Sequence, residues 1–493
     1  MNTERRKQSG AYYTPEAVVA SLVRWATRSA GDRMLDPACG DGRFLVAHSN
    51  SVGVEHDGDA AAIVHARAPG CLIHEGDFFS WAAETRERFQ CAAGNPPFIR
   101  YQRFTGEVRN RAIRLCARHG ATFTSLTSSW APFIVATATL LEPNGRMAFV
   151  VPAEIGHAPY AQPVLKYLAR HFDLVQVIAV RQKLFPGLSE DCWLLYCAGW
   201  GGRTETIALS ILDSFTFQES PPEPNVCVAL QDWQRWGGRL RPFLLSSSLR
   251  SFYWEISESP QSHRFRELAR VGIGYVTGAN EFFHLRPSDA ERLGVPERFL
   301  RACVRNGRCL TGRAITQATV DKWRRSDDPM LLLRLTNADP IPKAVRDYLD
   351  SAAGQQARET YKCRSRKPWY AVPDVTVPDA FLSYMSGETA ALVANRAKCV
   401  ATNSVHVVRL SGVWNLSELQ DAWEQPFTEL SCELEGHPLG GGVLKLEPRE
   451  AGQVLLSRAK TLRHEMVAEV AEGLETMRRW RHYGQNARSL PMD

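Results

Sequence analysis

Cys91–Ala92–Ala93–Gly94–Asn95–Pro96–Pro97–Phe98 is the stretch that decides the fold. Cys91 to Ala93 read as the end of a buried strand, which puts Gly94–Phe98 on the loop leaving it. Two consecutive prolines fix φ and hold the preceding residues extended, so the loop is stiff. A stiff loop can present the Asn95 side-chain amide and the Pro96 carbonyl as two fixed acceptors. Phe98 adds a flat apolar face beside them. Two acceptors and an aromatic plate suit a planar group bearing an exocyclic NH₂. Taken alone, the same residues are a proline-rich turn with a buried phenylalanine. The sequence upstream decides between the two.

Working back from the loop, three earlier strand ends each carry a polar group. Arg33–Met34–Leu35–Asp36–Pro37–Ala38–Cys39–Gly40–Asp41–Gly42–Arg43–Phe44 reads as a short strand, a glycine-containing loop and a helix start. Glycines there let a ligand approach the backbone, and free N–H groups at the helix start would favour a carboxylate or phosphate. The spacing is neither GxGxxG nor a P-loop. Val52–Gly53–Val54–Glu55 is a second strand ending in an acid, placed to reach ribose hydroxyls. Cys71 to Phe79 contains a third strand closing on Asp77, an acceptor for an adenine amino group, with Phe78 against the ring. Singly, each acid also reads as a helix N-cap or a solvated loop residue. Four strand ends in order, each with a ligand group, point to an open α/β sheet that binds at its carboxyl edge. Upstream of all of these, Gly10–Ala11–Tyr12–Tyr13–Thr14–Pro15–Glu16 leads into a helix. Thr14 is its expected N-cap, Pro15 its N1 residue, and Val18, Val19, Leu22, Val23 and Trp25 its apolar face.

Composition bounds the rest. The chain has 493 residues, 44% hydrophobic and 23% charged, which requires two or three cores rather than one. Its 12 cysteines lack CxxC and CxxC…HxxxH spacing, so neither a zinc site nor a disulfide framework is expected, and a reducing cytoplasm suits them. No signal-like start and no run of about 18 apolar residues suggests a membrane segment. A net charge of +6 permits a polyanionic partner.

With these motifs in order, residues 10–200 resemble the catalytic domain of S-adenosylmethionine-dependent DNA adenine-N6 methyltransferases. The likeness is to the gamma (Taq-type) class of restriction–modification systems. The resemblance assigns Tyr13, Thr14, Pro15, Asp36, Ala38, Gly40, Gly42, Glu55, Asp77 and Phe78 to the cofactor and Asn95, Pro96, Pro97 and Phe98 to catalysis. Phe98 stands where Tyr is common, so a ring is kept and a phenol hydroxyl is lost. The likeness continues through Ser129–Trp130–Ala131–Pro132–Phe133, a helix to Leu141, the Glu142–Pro143–Asn144–Gly145 turn and a strand Arg146–Pro152. Phe185 corresponds to a second base-contacting aromatic. What the resemblance implies is S-adenosyl-L-methionine as cofactor, duplex DNA as partner and base flipping. It further implies a monomer with a separate cognate restriction endonuclease as an optional partner, and no metal.

The second half is basic and irregular. Tyr361–Lys362–Cys363–Arg364–Ser365–Arg366–Lys367–Pro368–Trp369–Tyr370 holds four cations, three aromatics and no acid, a pattern that suits phosphates and stacked bases. Arg364, Arg366, Lys367 and Trp369 are its expected DNA contacts. The segment also resembles the family's target-recognition region, as do Thr402–His406 and Gly440–Pro448. The expected fold class is therefore α/β: a Rossmann-like, mostly parallel-sheet methyltransferase domain followed by a mixed α+β target-recognition domain. The expected division is a catalytic domain over 1–202, a Gly/Pro-rich linker or edge over 203–238, target recognition over 239–447 and a helical segment over 448–493. Rival readings are an N4-cytosine methyltransferase, a protein-glutamine methyltransferase sharing the Asn–Pro–Pro–aromatic loop, and a non-catalytic DNA-binding specificity component.

Overall fold

A computed structural model of the chain describes residues 14–188, 190–336, 340–439, 441–458 and 464–484, with the side chains of 464 and 465 excepted. It divides into two compact units, Met1–Leu244 and Leu245–Asp493.

The first unit is built on nine strands among the described residues: β1 (Met34–Asp36), β2 (Ser51–Glu55), β3 (Leu72–Glu75), β4 (Phe89–Gly94), β5 (Leu141–Pro152), β6 (Phe172–Val180), β7 (Cys192–Trp200), β8 (Thr206–Leu212) and β9 (Val226–Ala229). Their order is β3-β2-β1-β4-β5-β7-β6-β8-β9. Strands β3 to β5 are mutually parallel, whereas β7 runs antiparallel to both of its neighbours. β1 and β4 are buried almost throughout and show no polar alternation, as expected of strands covered on both faces. Chain order reverses between β1 and β4, the switch point where an open α/β sheet leaves a crevice. The loops after β1 and β4 carry Asp36–Gly42 and Asn95–Phe98, so the topology alone brings these two motifs together.

Helices cover the sheet: α1 (Glu16–Ala26), α2 (Arg43–Val46), α3 (Gly58–Arg67), α4 (Phe78–Glu84), α5 (Gly106–Arg118), α6 (Trp130–Ala138) and α7 (Ala161–His171). Every residue of α6 is buried, which is why its sequence lacks a polar face. The expected turn at Glu142–Gly145 is present as a bulge within β5: Phe89 pairs with Leu141 but Cys91 with Arg146. Asn144 at φ 62° accommodates it.

The end of the first unit differs from the expected bound. Within 203–238, β8 and β9 extend the sheet toward its edge, β8 parallel to β6 and β9 antiparallel to β8. The first unit thus runs to Leu244 rather than 202. The Pro- and Gly-rich runs that suggested a linker lie beside these short edge strands. The helical segment expected over 448–493 carries an apolar face, with Val454 and Leu455 buried ahead of the last helix. Its helix His464–Trp480 buries Val470, Leu474 and Met477 within the second unit.

The second unit is mixed α+β. A five-stranded sheet joins Ala269–Ile273, Val405–Leu410, Ala380–Ser383, Leu392–Asn395 and Ala314–Ile315 in that order, and four-, three- and two-stranded sheets accompany it among the described residues. Arg481, fully buried, is held by a bidentate pair with Glu433 at 2.7–3.1 Å. That pairing is what permits a charge in a core.

Candidate active site

The crevice at the switch point is a cavity of about 340 Å³. Thr14, Asp36, Ala38, Gly40, Glu55, Asp77, Phe78, Asn95 and Pro97 all line it. Thus seven of the expected cofactor residues and two of the expected catalytic ones share one space. Pro15, Gly42, Pro96 and Phe98 are not in the lining, and Tyr13 lies outside the described residues. Ile99, Phe104 and Val108, to which no motif points, also line the cavity, together with Ser129 and Phe133 from the two ends of the Ser129–Phe133 stretch.

Asp36 ends β1 and is buried at 1% exposure. Its Oδ1 accepts from the Ala38 N–H at 3.2 Å, while Oδ2 is buried without a partner. Burial pushes its carboxyl up to about 8, and the nearby Glu55 and Asp41 carboxylates add to this; the Ala38 N–H acts the other way. Such a group is set to receive a cation or a hydrogen-bond donor.

The glycine loop is closed by its own hydrogen bonds. Cys39 N–H donates to the Val54 carbonyl at 3.0 Å, Gly40 N–H to Glu55 Oε2 at 2.7 Å and Gly42 N–H to the Cys39 carbonyl at 2.8 Å. These three N–H groups are thus spent in shaping the loop that precedes the helix Arg43–Val46. Gly42 is needed twice over: its φ is +82°, and a Cβ there would stand 2.3 Å from Val64 Cγ2. Glu55 receives a second N–H from Asp57 at 2.8 Å on Oε1. Each oxygen retains a lone pair for a diol.

Asp77 is the N-cap that its sequence position allowed, and it lines the cavity as well. Its Oδ2 caps α4, accepting from Ser80 N–H at 2.9 Å and Ser80 Oγ at 2.6 Å. Arg111 of α5 donates to the same oxygen at 3.2 Å and also to Ser80 Oγ. Phe78 stacks on Phe133 with centroids 5.1 Å apart and planes 11° from parallel, forming an apolar wall.

The Asn95–Phe98 loop is pinned more by Ser129 than by its prolines. Ser129 precedes α6 but makes no side-chain cap. Its Oγ donates to the Pro97 carbonyl and accepts from Ile99 N–H at 2.9 Å, and its own N–H donates to the Ile99 carbonyl at 3.0 Å. Within this frame Asn95 Nδ2 donates to Thr14 Oγ1 at 3.2 Å, and Asn95 Oδ1 is buried without a partner. Thr14 is thus not the N-cap of α1; Pro15 occupies that position with no side-chain bond. Phe98 and Phe185 belong to one apolar cluster, Phe185 buried and Phe98 half-buried against it.

In the second unit the expected contact residues divide. Arg364 and Lys367 are exposed, as are their neighbours Tyr361, at 75%, and Lys362. Arg366 instead donates to the Val276 and Thr277 carbonyls, and Trp369 packs against Phe282 with centroids 5.6 Å apart. Both residues are half-buried, with the guanidinium and the ring engaged inside the unit.

The donor set fits S-adenosylmethionine on observations of this chain alone. The cavity combines an orphaned carboxyl oxygen at Asp36, a diol acceptor at Glu55, an amino-group acceptor at Asp77 and an aromatic wall.

Comparison with known proteins agrees. Residues 1–68 match the family described as N-6 DNA Methylase and residues 69–185 the Eco57I restriction-modification methylase. Residues 238–485 match Type II methyltransferase M.Eco57I, C-terminal domain. The chain is 19% identical over 488 residues to Type II methyltransferase M.AccI of Acinetobacter calcoaceticus, covering 92% of this chain and 86% of that one. To M.XamI of Xanthomonas campestris pv. amaranthicola it is 22% identical over 482 residues, covering 93% and 87%. Its fold is similar to that of the Type IIL restriction-modification enzyme MmeI, whose structure is in complex with DNA, with a TM-score of 0.55, 13% identity and coverage of 100% of this chain and 78% of that one.

Proposed function

Because the chain belongs to the Eco57I family of Type II restriction–modification methyltransferases, we propose that it methylates adenine N6 in duplex DNA after turning the base out of the helix. It is a DNA methyltransferase, and its cofactor is S-adenosyl-L-methionine. The observation that carries the adenine reading is Asn95 Oδ1: a buried, unpartnered carbonyl oxygen on a loop that shares its cavity with Asp36, Glu55 and Asp77. An unpaired buried acceptor costs about 1–3 kcal/mol, and an incoming N–H recovers it.

An amino group on adenine is a poor nucleophile because its lone pair is delocalised into the ring. N–H donation to Asn95 Oδ1 and to the Pro96 carbonyl favours a pyramidal nitrogen with a localised pair. Because Ser129 already holds the loop, the acceptors need not reorganise as charge develops, which is where electrostatic catalysis gains most. What the cofactor supplies when bound is a methyl group on a sulfonium centre. Asp36, Glu55 and Asp77 fix its place relative to Asn95, and that alignment supplies much of the remaining rate.

Extrusion of a base costs a few kcal/mol. A ring at Phe98 returns about 1–3 kcal/mol by stacking. Phosphate contacts from exposed cations such as Lys362, Arg364 and Lys367 supply the balance. A separate endonuclease acting on the same site and a monomeric, cytoplasmic enzyme complete the proposal. Among the described residues no helix is long and apolar enough to cross a membrane.

Incubation with methyl-labelled cofactor and duplex DNA, followed by nucleoside analysis, tests the reading. N6-methyldeoxyadenosine is expected. N4-methyldeoxycytidine or a labelled protein glutamine would replace it with one of its rivals, and no transfer at all would leave only a DNA-binding component.

A further inference from the structure

Thr14 and Asn95 are 81 residues apart in sequence and joined by one hydrogen bond, Asn95 Nδ2–H to Thr14 Oγ1 at 3.2 Å. Three observations make the bond more than a packing detail. Thr14 is 3% exposed, so its hydroxyl has little access to water. That hydroxyl does not cap α1, which begins with Pro15 and no side-chain bond, so helix formation does not explain it. The other end of the same amide, Asn95 Oδ1, is buried and has no partner.

We propose that Thr14 is the positioning residue for Asn95. By accepting from Nδ2 it turns Oδ1 toward the substrate. The assignment rests on the reading of Asn95 as the acceptor for an exocyclic amine. An asparagine amide has a donor end and an acceptor end of nearly equal shape, and the Pro–Pro backbone does nothing to distinguish them. A half-turn of the amide would point two N–H donors at an NH₂ group, and neither would find an acceptor. Thr14 gives the donor end a place to bond, on the side away from Oδ1. Donation from Nδ2 also increases the negative charge on Oδ1 through amide polarisation, which strengthens what the carbonyl accepts.

The consequence is selectivity for chemistry. With its amide held this way, Asn95 offers a base the acceptor Oδ1 and directs its amide nitrogen to Thr14. A base bearing NH₂ is accepted. A base bearing a carbonyl at the same position meets oxygen against oxygen.

The test compares Thr14→Val, which replaces the hydroxyl by a methyl of similar shape, with Thr14→Ser, which keeps it. Three quantities are read on the full chain: the single-turnover methylation rate, the dissociation constant for S-adenosylhomocysteine, and the fluorescence of 2-aminopurine placed at the target base. For Thr14→Val the expected result is a rate about tenfold or more below wild type, the loss expected for one hydrogen bond at the reacting group. Circular dichroism certifies the fold, the loss of rate should exceed any loss of ligand affinity, and 2-aminopurine emission should be unchanged. Thr14→Ser restores the rate. A wild-type rate in Thr14→Val overturns the proposal, and so does a parallel loss of rate and ligand affinity in both variants, which would make Thr14 a cofactor contact only. Absence of adenine methylation by the wild type fails the underlying enzymatic reading instead, before any variant is compared.

Discussion

Gly94 and Asp36 occupy adjacent strand ends so closely that a Cβ at position 94 would stand 2.6 Å from Asp36 Oδ1. The same Cβ would meet Phe149 Cε1 at 3.2 Å. Glycine here is the condition for the buried carboxyl to lie across the end of β4. Gly94→Ala must displace either the Asp36 side chain or the start of the Asn95 loop. The expected result is a folded protein whose S-adenosylhomocysteine affinity falls by about tenfold, read by calorimetry with circular dichroism as the folding check. Unchanged affinity would show that the carboxyl is not a ligand group.

Asp36 also predicts a pH dependence. Its carboxyl is raised to about 8 by burial, against an ordinary value near 3.9. The folded state therefore holds a proton that the unfolded chain has released between about pH 4 and pH 8. Stability contributed by this group falls as pH rises through that window, and the full penalty stands above pH 8. Asp36→Asn removes the ionisation while keeping the shape. Its melting temperature should exceed that of the wild type by more at pH 9 than at pH 5, although it loses cofactor affinity. Equal differences at the two pH values would contradict the buried-acid account.

Arg111 offers a separable prediction. It donates to the Asp77 oxygen that already caps α4, so the remaining oxygen is left for a purine amino group. The Arg111 side chain is 41% exposed and therefore screened. Arg111→Met should weaken S-adenosylhomocysteine binding by less than about tenfold. An analogue lacking the 6-amino group should be affected less. Equal losses for both ligands would mean that Arg111 does not act through Asp77.

Much of this site is legible in the sequence because its ligand groups sit at successive strand ends, where chain order and spatial order coincide. Asp36, Glu55, Asp77 and Asn95 could be read this way before any coordinates. Ser129, Arg111 and Phe133 could not be assigned roles, since each acts across an interhelical or loop contact that leaves no local spacing. Thr14 was misread as a helix cap for a related reason: Thr–Pro before an apolar run is a capping signal, and a tertiary partner took its hydroxyl instead. The same limit applied in the second unit. Clustered cations and rings suggested DNA contact at Arg366 and Trp369, but composition does not show that a guanidinium already has backbone carbonyls to bind.

The exposed part of that cluster predicts a salt effect. DNA affinity should fall by about 0.9 log units per log unit of salt for each phosphate neutralised. Replacing Lys362 and Arg364 together by alanine should lower the slope by about 2 × 0.9. An unchanged slope would move the phosphate contacts elsewhere.

Phe98→Ala separates stacking from binding. DNA affinity should remain within about tenfold of wild type while single-turnover methylation slows by more, since stacking on an aromatic ring is worth about 1–3 kcal/mol per base. A wild-type rate would make the ring a packing group only.

The most direct measurement on the central claim is the single-turnover methylation rate of Asn95→Ala alongside its dissociation constant for S-adenosylhomocysteine. With the amide as the acceptor that activates the target nitrogen, methylation is lost while ligand affinity stays close to wild type. Methylation at the wild-type rate, with the ligand still bound, would contradict it.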